Sequence, residues 1–279
     1  TYEGDWVDGA ITGSGKATYV TGDVYVGQFA GGKREGQGTL TYSTGEVLTG
    51  EWRNGIGRLL ADSPPSDVAE ILAPYLDAVR AENDEGALTR YPGSPLLARR
   101  LLRPGDRLAA DEAHPEDAAQ LAALFAKDPA AKVLTLDGWT VLKSLLPPKE
   151  RRGVVLIDPP FEQPGEFHRL VDGLAAAHKR FATGTVLLWY PIKDQRAVRA
   201  FHRDAAALAI PKLFSVELYV QPAHIEGELS GTGLVILNPP FTLEEKLRRL
   251  LPYLTKVLAR TKGGEGRVAW LTGERVTSP

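Results

Sequence analysis

Asp158-Pro159-Pro160-Phe161 follows directly on the apolar run Val154-Val155-Leu156-Ile157. A buried strand that ends in an acid, two prolines and an aromatic ring has a definite chemical use. The amino group of adenine is a poor nucleophile because its lone pair is delocalised into the ring. A carboxylate and a backbone carbonyl that accept its two hydrogens aim that lone pair at a methyl donor, and most of the rate gain then comes from alignment. Proline keeps such a loop stiff, and the ring of Phe161 offers a face for an extruded base. The plain alternative is a rigid strand-to-loop turn without chemistry. A second tetrapeptide, Asn238-Pro239-Pro240-Phe241, also follows an apolar run. Asn can orient an amino group too, but this motif falls in the last strand pair, where an acceptor loop is less expected, so it reads as structural.

Two acids upstream fit the same chemistry. Asp137-Gly138 follows the run Lys132–Leu136. At a strand end, an acid and a glycine can meet the adenine of a nucleoside cofactor, because glycine lets the backbone approach closely. Glu112 follows a short apolar stretch near Leu108, a place where an acid commonly accepts hydrogen bonds from ribose hydroxyls. Each taken singly is also an ordinary helix cap or solvated acid. The five histidines have no metal-ligand spacing, and no triphosphate-binding loop or nucleophile elbow occurs.

Composition narrows the classes. The chain has 279 residues, a net charge of −2 and no cysteine. Disulfides, thiolate catalysis and cysteine-bound zinc are excluded, in accord with a cytoplasmic setting. No apolar run approaches the roughly 18 residues a membrane span needs, and no signal peptide is visible. With no global positive field, RNA contact has to come from local basic groups. Arg99, Arg100, Arg103 and Arg107 form one, Lys149, Arg151 and Arg152 a second, and Lys179 with Arg180 a third. Their plain alternative is solvated helix surface.

The elements that position these residues come in two kinds. Up to residue 55 the sequence repeats with a step of 23: Gly4, Gly27 and Gly50; Trp6, Phe29 and Trp52; Gly13 and Gly36; Gly15 and Gly38; Tyr19 and Tyr42; Gly22 and Gly45. Aromatic and polar residues alternate and glycines punctuate, which predicts one β-hairpin per repeat. From Ile56 the glycine spacing is lost. The pattern predicts a helix over 68–80 capped by Ser66, a strand over 107–110, a helix over 115–126, a strand over 132–136 and a helix over 140–146. It continues with a strand over 153–157, a helix over 168–182, strands over 185–190, 213–220 and 233–237, a helix over 243–258 and an edge strand over 268–271. This alternation argues for an α/β fold with a mostly parallel sheet covered on both faces.

Tyr2-Glu3-Gly4-Asp5-Trp6, Tyr25-Val26-Gly27-Gln28-Phe29 and Gly36-Gln37-Gly38-Thr39-Leu40-Thr41-Tyr42 resemble MORN repeats, which implies protein or lipid contacts for residues 1–55. The bland reading there is a short sheet without a ligand.

From about Ile56 to Trp270 a second resemblance appears. Arg90-Tyr91-Pro92-Gly93-Ser94-Pro95, Glu112-Ala113-His114-Pro115, Asp137-Gly138, Arg151-Arg152-Gly153 running into Asp158-Pro159-Pro160-Phe161, Arg180-Phe181-Ala182-Thr183-Gly184, Leu188-Trp189-Tyr190-Pro191 and Asn238-Pro239-Pro240 resemble the RlmJ family. The resemblance implies a Rossmann-like class I methyltransferase sheet over 56–279, with a helical subdomain at 56–90. It implies S-adenosylmethionine as cofactor, N6-methylation of an adenine in 23S ribosomal RNA, and no metal. By the family pattern Ser94, Glu112, Asp137, Gly138 and Asp158 would contact the cofactor, and Asp158 to Phe161 the target base. The family also has a first, central strand whose loop holds the methionine part of the cofactor; here the repeats stand in its place. That departure predicts weak cofactor affinity. It keeps open a second reading, a non-catalytic MORN-type binding protein carrying a methyltransferase remnant. Another substrate for the same chemistry is a third.

Overall fold

The computed structural model describes residues 1–7, 9–19, 24–41, 47–49, 55–83, 88, 90–161, 164–223 and 228–273. The repeat positions Gly22, Tyr42, Gly45, Gly50 and Trp52 lie outside them. The chain divides into two compact units, residues 1–62 with 72–138, and residues 63–71 with 139–279.

In the first unit the repeats form one antiparallel sheet in chain order: β1 (Tyr2–Val7), β2 (Ala10–Thr18), β3 (Val24–Ala30), β4 (Lys33–Thr41) and β5 (Val47–Thr49). The repeat step has a register meaning. Gly4 pairs with Gly15, Gly15 with Gly27, and Gly27 with Gly38, so the glycines form a row across four strands. A Cβ at Gly15 would fall 2.3 Å from the hydroxyl oxygen of Tyr2. The side chain of Tyr2 therefore needs glycine beneath it, and its ring meets Phe29 edge-on at 5.1 Å. Tyr25 and Phe29 are buried beside Ala17. One aromatic face is thus covered by stacking along the array.

The same unit holds helix α1 (Ile56–Ala61), the later part of α2 (Ser66–Arg80), α3 (Ser94–Leu101) and a two-stranded parallel sheet. That sheet pairs β6 (Leu108–Asp111) with β7 (Ala131–Leu134) across helix α4 (Pro115–Leu124). Val68, Leu72, Leu76 and Val79 of α2 are buried, on the stripe their spacing predicts. Helix α3 has no sequence-based counterpart above; the two arginines in its last turn and its short length hide it.

The second unit is built on a five-stranded sheet ordered β12-β10-β11-β9-β8, formed by β8 (Val154–Ile157), β9 (Thr185–Ile192), β10 (Leu213–Tyr219), β11 (Gly231–Leu237) and β12 (Glu265–Thr272). Helices α5 (Gly138–Leu145), α6 (Glu166–Arg180), α7 (Gln195–Ala207) and α8 (Leu243–Leu258) complete the described elements. Alternate residues serve the two faces. Val186, Leu188, Tyr190 and Ile192 of β9 join Leu170 and Leu174 of α6 and Phe201 of α7 in one core cluster. Leu187, Phe214, Val216 and Ile236 face Leu251 of α8 in another. Helices do cover both faces, as expected.

The expected mostly parallel pairing needs correcting. Only β8–β9 is parallel in this sheet; β9–β11, β11–β10 and β10–β12 are antiparallel. The crossover from β9 through α7 leaves a gap one strand wide before β10. The chain then returns from β10 and inserts β11 into that gap, running the other way. A second core feature is polar. Tyr190 donates to Glu217 Oε1 at 3.3 Å and lies 2.8 Å from His202 Nε2, while Tyr219 donates to Glu217 Oε2 at 3.2 Å. Arg267 reaches the Tyr219 hydroxyl at 3.3 Å.

Candidate active site

Strand β8 ends at Ile157, opposite Leu188 of β9, so Asp158 leaves the sheet at the carboxyl ends of its two parallel strands. Ligands of open α/β sheets bind at this end. Asp158 is exposed, yet the protein crowded around its carboxyl strips away enough water to hold it above the ordinary carboxylate range. Phe161 has φ +54°, a left-handed backbone that an aromatic residue enters at a cost of about 1–2 kcal/mol. Such strain marks a loop held in one shape by its surroundings. Those surroundings are visible: the Phe161 ring meets Phe167 at 5.1 Å and Trp189 at 6.0 Å, both edge-on. Beneath the loop, α6 opens with Glu166, which is buried and paired with Arg169 at 2.6 Å. Helix α6 is held in turn by Trp139: a Cβ at Gly173 would lie 2.3 Å from its ring.

The Asn238 motif sits at the other pole of the same sheet. Because β11 runs against β9, its last residue Leu237 pairs with Val186 near the start of β9. There the Asn238 amide donates to the carbonyls of Ala182 at 2.8 Å and Gly184 at 2.9 Å, and Thr185 donates to the Asn238 carbonyl at 3.0 Å. The amide is consumed in tying the β9 entry loop to the end of β11. That is a structural task, as its late position suggested.

The remaining sequence-predicted residues belong to the first unit. Glu112 and Asp137-Gly138 follow the carboxyl ends of the parallel pair β6 and β7. Glu112 Oε1 accepts from the His114 backbone at 2.9 Å, which fixes the carboxyl at the strand end. Gly138 opens α5, and a Cβ there would find only Asp111 Oδ2, at 3.7 Å. The backbone at Gly138 is therefore open to close approach. Asp111, the last residue of β6, accepts from the Leu136 backbone at 3.1 Å and clamps the two strand ends together. Ser94 is the first residue of α3. The segment before it is anchored: Asn83 exchanges hydrogen bonds with the Arg90 backbone at 2.7 and 2.8 Å, and the hydroxyls of Tyr75 and Tyr91 lie 2.7 Å apart.

The first basic group is largely spent. Arg99 pairs with Asp128 at 2.5 Å, Arg100 with Glu82, and Arg103 with Asp106 at 3.1 Å. Lys149, Arg151, Arg152, Lys179 and Arg180 are exposed. They precede β8 and β9 and so lie at the end of the sheet away from Asp158. Among the described residues no group of three or more His, Asp or Glu could hold a metal ion. No helix there is long and apolar enough to cross a membrane.

Comparison with known proteins agrees with this geometry. The family described as "RsmJ: Ribosomal RNA large subunit methyltransferase D, RlmJ" matches residues 30–272, and the MORN repeat matches residues 2–24. Ribosomal RNA large subunit methyltransferase J of Escherichia coli is 39% identical over 208 residues, which cover 75% of this chain and 74% of that protein. Its namesake from Haemophilus influenzae is 38% identical over 224 residues, covering 80% of this chain and 79% of that one. A crystal structure of protein LPL1258 from Legionella pneumophila superimposes with a TM-score of 0.72 at 30% identity, covering 79% of this chain and 80% of that chain. A match to the family over most of its length, with two relatives well above 30% identity, makes the chain a member of the RlmJ family of ribosomal RNA large subunit methyltransferases.

Proposed function

We propose that the chain transfers a methyl group from S-adenosylmethionine to N6 of an adenine in the 23S RNA of the large ribosomal subunit, in the cytoplasm. Family membership requires a methyl donor, and S-adenosylmethionine supplies an electrophilic methyl on a sulfonium. The observation that carries the reading is the Asp158 loop: an acid-tipped, proline-stiffened turn at the carboxyl end of a parallel strand, with a strained aromatic residue braced from below.

The donor set suits a nucleoside cofactor. Glu112 would accept from ribose hydroxyls, Asp137 would meet the adenine, and Gly138 would allow the backbone approach that its surroundings leave open. Ser94 would contact the cofactor at the start of α3. Asp158 and the Pro159 carbonyl would accept the two hydrogens of the target amine, Pro160 would keep the turn stiff, and the exposed part of Phe161 would face the base. The raised carboxyl of Asp158 suits an acceptor partly shielded from water. Residues 1–55 form a MORN-like module, which supports a protein or lipid partner there, and 56–279 form the methyltransferase domain. The test is transfer of radiolabelled methyl to unmodified 23S RNA, compared with Asp158→Ala. Loss of one aligning acceptor should lower the rate by about 10²–10³-fold. A variant as active as the parent would refute the assignment.

A further inference from the structure

The polar cluster inside the second unit is built across four strands. Tyr190 of β9 pairs with Gly233 of β11, Gly233 with Glu217 of β10, and Glu217 with Arg267 of β12. Residues paired in this way share one face of the sheet. The glycine in that row has a purpose: a Cβ at Gly233 would lie 2.2 Å from Cζ of Tyr190 and 2.4 Å from its hydroxyl oxygen. The phenol therefore lies over β11 and reaches Glu217 one strand further on. Its single proton goes to Glu217 Oε1 at 3.3 Å, which leaves His202 Nε2 of α7, at 2.8 Å, to act as the donor to the hydroxyl oxygen. Tyr190 and Glu217 are both buried.

A phenylalanine would fill the same apolar space without a buried acid and an imidazole to satisfy it. A hydroxyl tied at two points, however, fixes where its ring stands, and a fully satisfied buried network holds a core in one arrangement. The ring so fixed belongs to a chain of aromatic contacts. Tyr190 meets Phe201 at 5.3 Å and Phe167 at 6.3 Å, Phe201 meets Phe167 at 5.2 Å, and Phe167 meets Phe161 at 5.1 Å. One ring thus separates Tyr190 from Phe161, the residue of the Asp158 loop whose backbone is strained. Strain of that kind persists only where the surroundings over-determine it.

We propose that Tyr190 is a positioning residue for the Asp158 loop: Glu217 and His202 hold its hydroxyl, its ring fixes Phe167 and Phe201, and these seat Phe161 and so aim Asp158 and the Pro159 carbonyl. That the aimed groups meet a target amine rests on the methyltransferase reading above; that the polar cluster holds the loop does not. Tyr219 supplies the control. It donates to the other oxygen of the same carboxylate at 3.2 Å, but its ring lies against the Arg267 guanidinium, 4.6 Å away. Among the described residues no ring contact joins it to Phe167 or Phe201.

The test uses the full chain with a fluorine on the para carbon of Phe161 alone, read by fluorine NMR, beside methyl-transfer kinetics on the folded fraction. Tyr190→Phe should move the resonance toward its position in the unfolded chain. It should also lower kcat about 10-fold with KM for S-adenosylmethionine unchanged, as expected when alignment alone is lost. Tyr219→Phe also drops a bond to Glu217 and should melt at a lower temperature than the parent, yet leave the resonance and kcat at their parent values. Glu217→Gln keeps an acceptor for Tyr190 and should hold the resonance in place, whereas Glu217→Ala should move it. A resonance unmoved in Tyr190→Phe, or moved as far in Tyr219→Phe, would overturn the proposal. So would a moved resonance with kcat at the parent value. The fluorine signal needs no methyl transfer: a parent that transfers no methyl group removes the methyltransferase reading, and the resonance still decides whether Tyr190 holds the loop.

Discussion

Asp158-Pro159-Pro160-Phe161 and Asn238-Pro239-Pro240-Phe241 differ in one residue of four. Both follow apolar strands, and both contain a non-glycine residue at positive φ, Phe161 at +54° and Asn238 at +51°. Strand polarity separates them. Strand β8 runs with β9 and delivers its loop to the carboxyl pole; β11 runs against β9 and delivers its loop to the amino pole. At the first pole the polar head is exposed, desolvated by its neighbours and raised in pKa. At the second, the polar head is committed to two carbonyls and the phenylalanine beyond it is fully exposed. On the reading proposed above, the same local chemistry would serve a reaction at one end, while at the other it ties strands together, and the fold decides which.

The comparison can be broken by substitution. The largest expected effect is on Asp158→Asn, which keeps the shape but replaces an acceptor oxygen by a donor. Methyl transfer should fall about 10²–10³-fold. Stability should not fall. A carboxyl held above its unfolded value is penalised when charged, so removing the charge should raise the melting temperature at neutral pH. That gain should vanish below about pH 4, where the ordinary carboxyl is protonated in both states. A variant with lower stability at pH 7 would mean that Asp158 is a structural residue like Asn238.

Asn238→Ala should behave in the opposite manner. It loses two hydrogen bonds worth about 1 kcal/mol each, and it leaves alanine in a left-handed backbone at about another 1 kcal/mol. Unfolding in denaturant should show a loss of about 2–3 kcal/mol, with methyl transfer by the folded fraction unchanged. A fall in turnover beyond the loss of folded protein would return this loop to the list of reactive ones. The smallest effect belongs to Phe241→Ala. Its side chain is fully exposed, so the change in stability should stay within about 0.5 kcal/mol, whereas Phe161→Ala, which empties an aromatic brace, should cost several times as much.

Much of this was readable from sequence, for identifiable reasons. Helix α8 spans Leu243–Leu258 as its apolar spacing predicts, and β6 to β11 fall within about two residues of their expected positions. The apolar period survives there because each strand or helix has a core to face. The row of paired glycines was implicit in the 23-residue step but needed the register to be seen. Helix α7 was missed although its signals exist: Val198, Phe201 and Ala205 form a narrow buried stripe, and Asp194 caps the start by accepting from the Arg196 backbone at 2.7 Å. Its arginines drown that stripe in any averaged hydropathy. Polarity of β11 was out of reach, because the insertion of a returning strand between β9 and β10 depends on a gap left by an earlier crossover. The family departure was legible in the sequence; in β8, Val154 and Leu156 are exposed while Val155 and Ile157 pack against the core.

The polar cluster inside the antiparallel part of the sheet carries a consequence for acid tolerance. Burial holds the His202 imidazole below its ordinary value, against the opposing pull of Glu217. As pH falls through about 6.5, the unfolded chain takes up a proton there before the native one does. Unfolding is then drawn forward by acid, and the melting temperature should decline between pH 7 and pH 5 more steeply than in His202→Gln. The Tyr219 phenol, pushed up to about 12 chiefly by burial and by the Glu217 charge, stays protonated throughout that range and keeps its bond to the acid. The sheet that carries the Asp158 loop would thus loosen first where the α7 imidazole meets Tyr190 of β9.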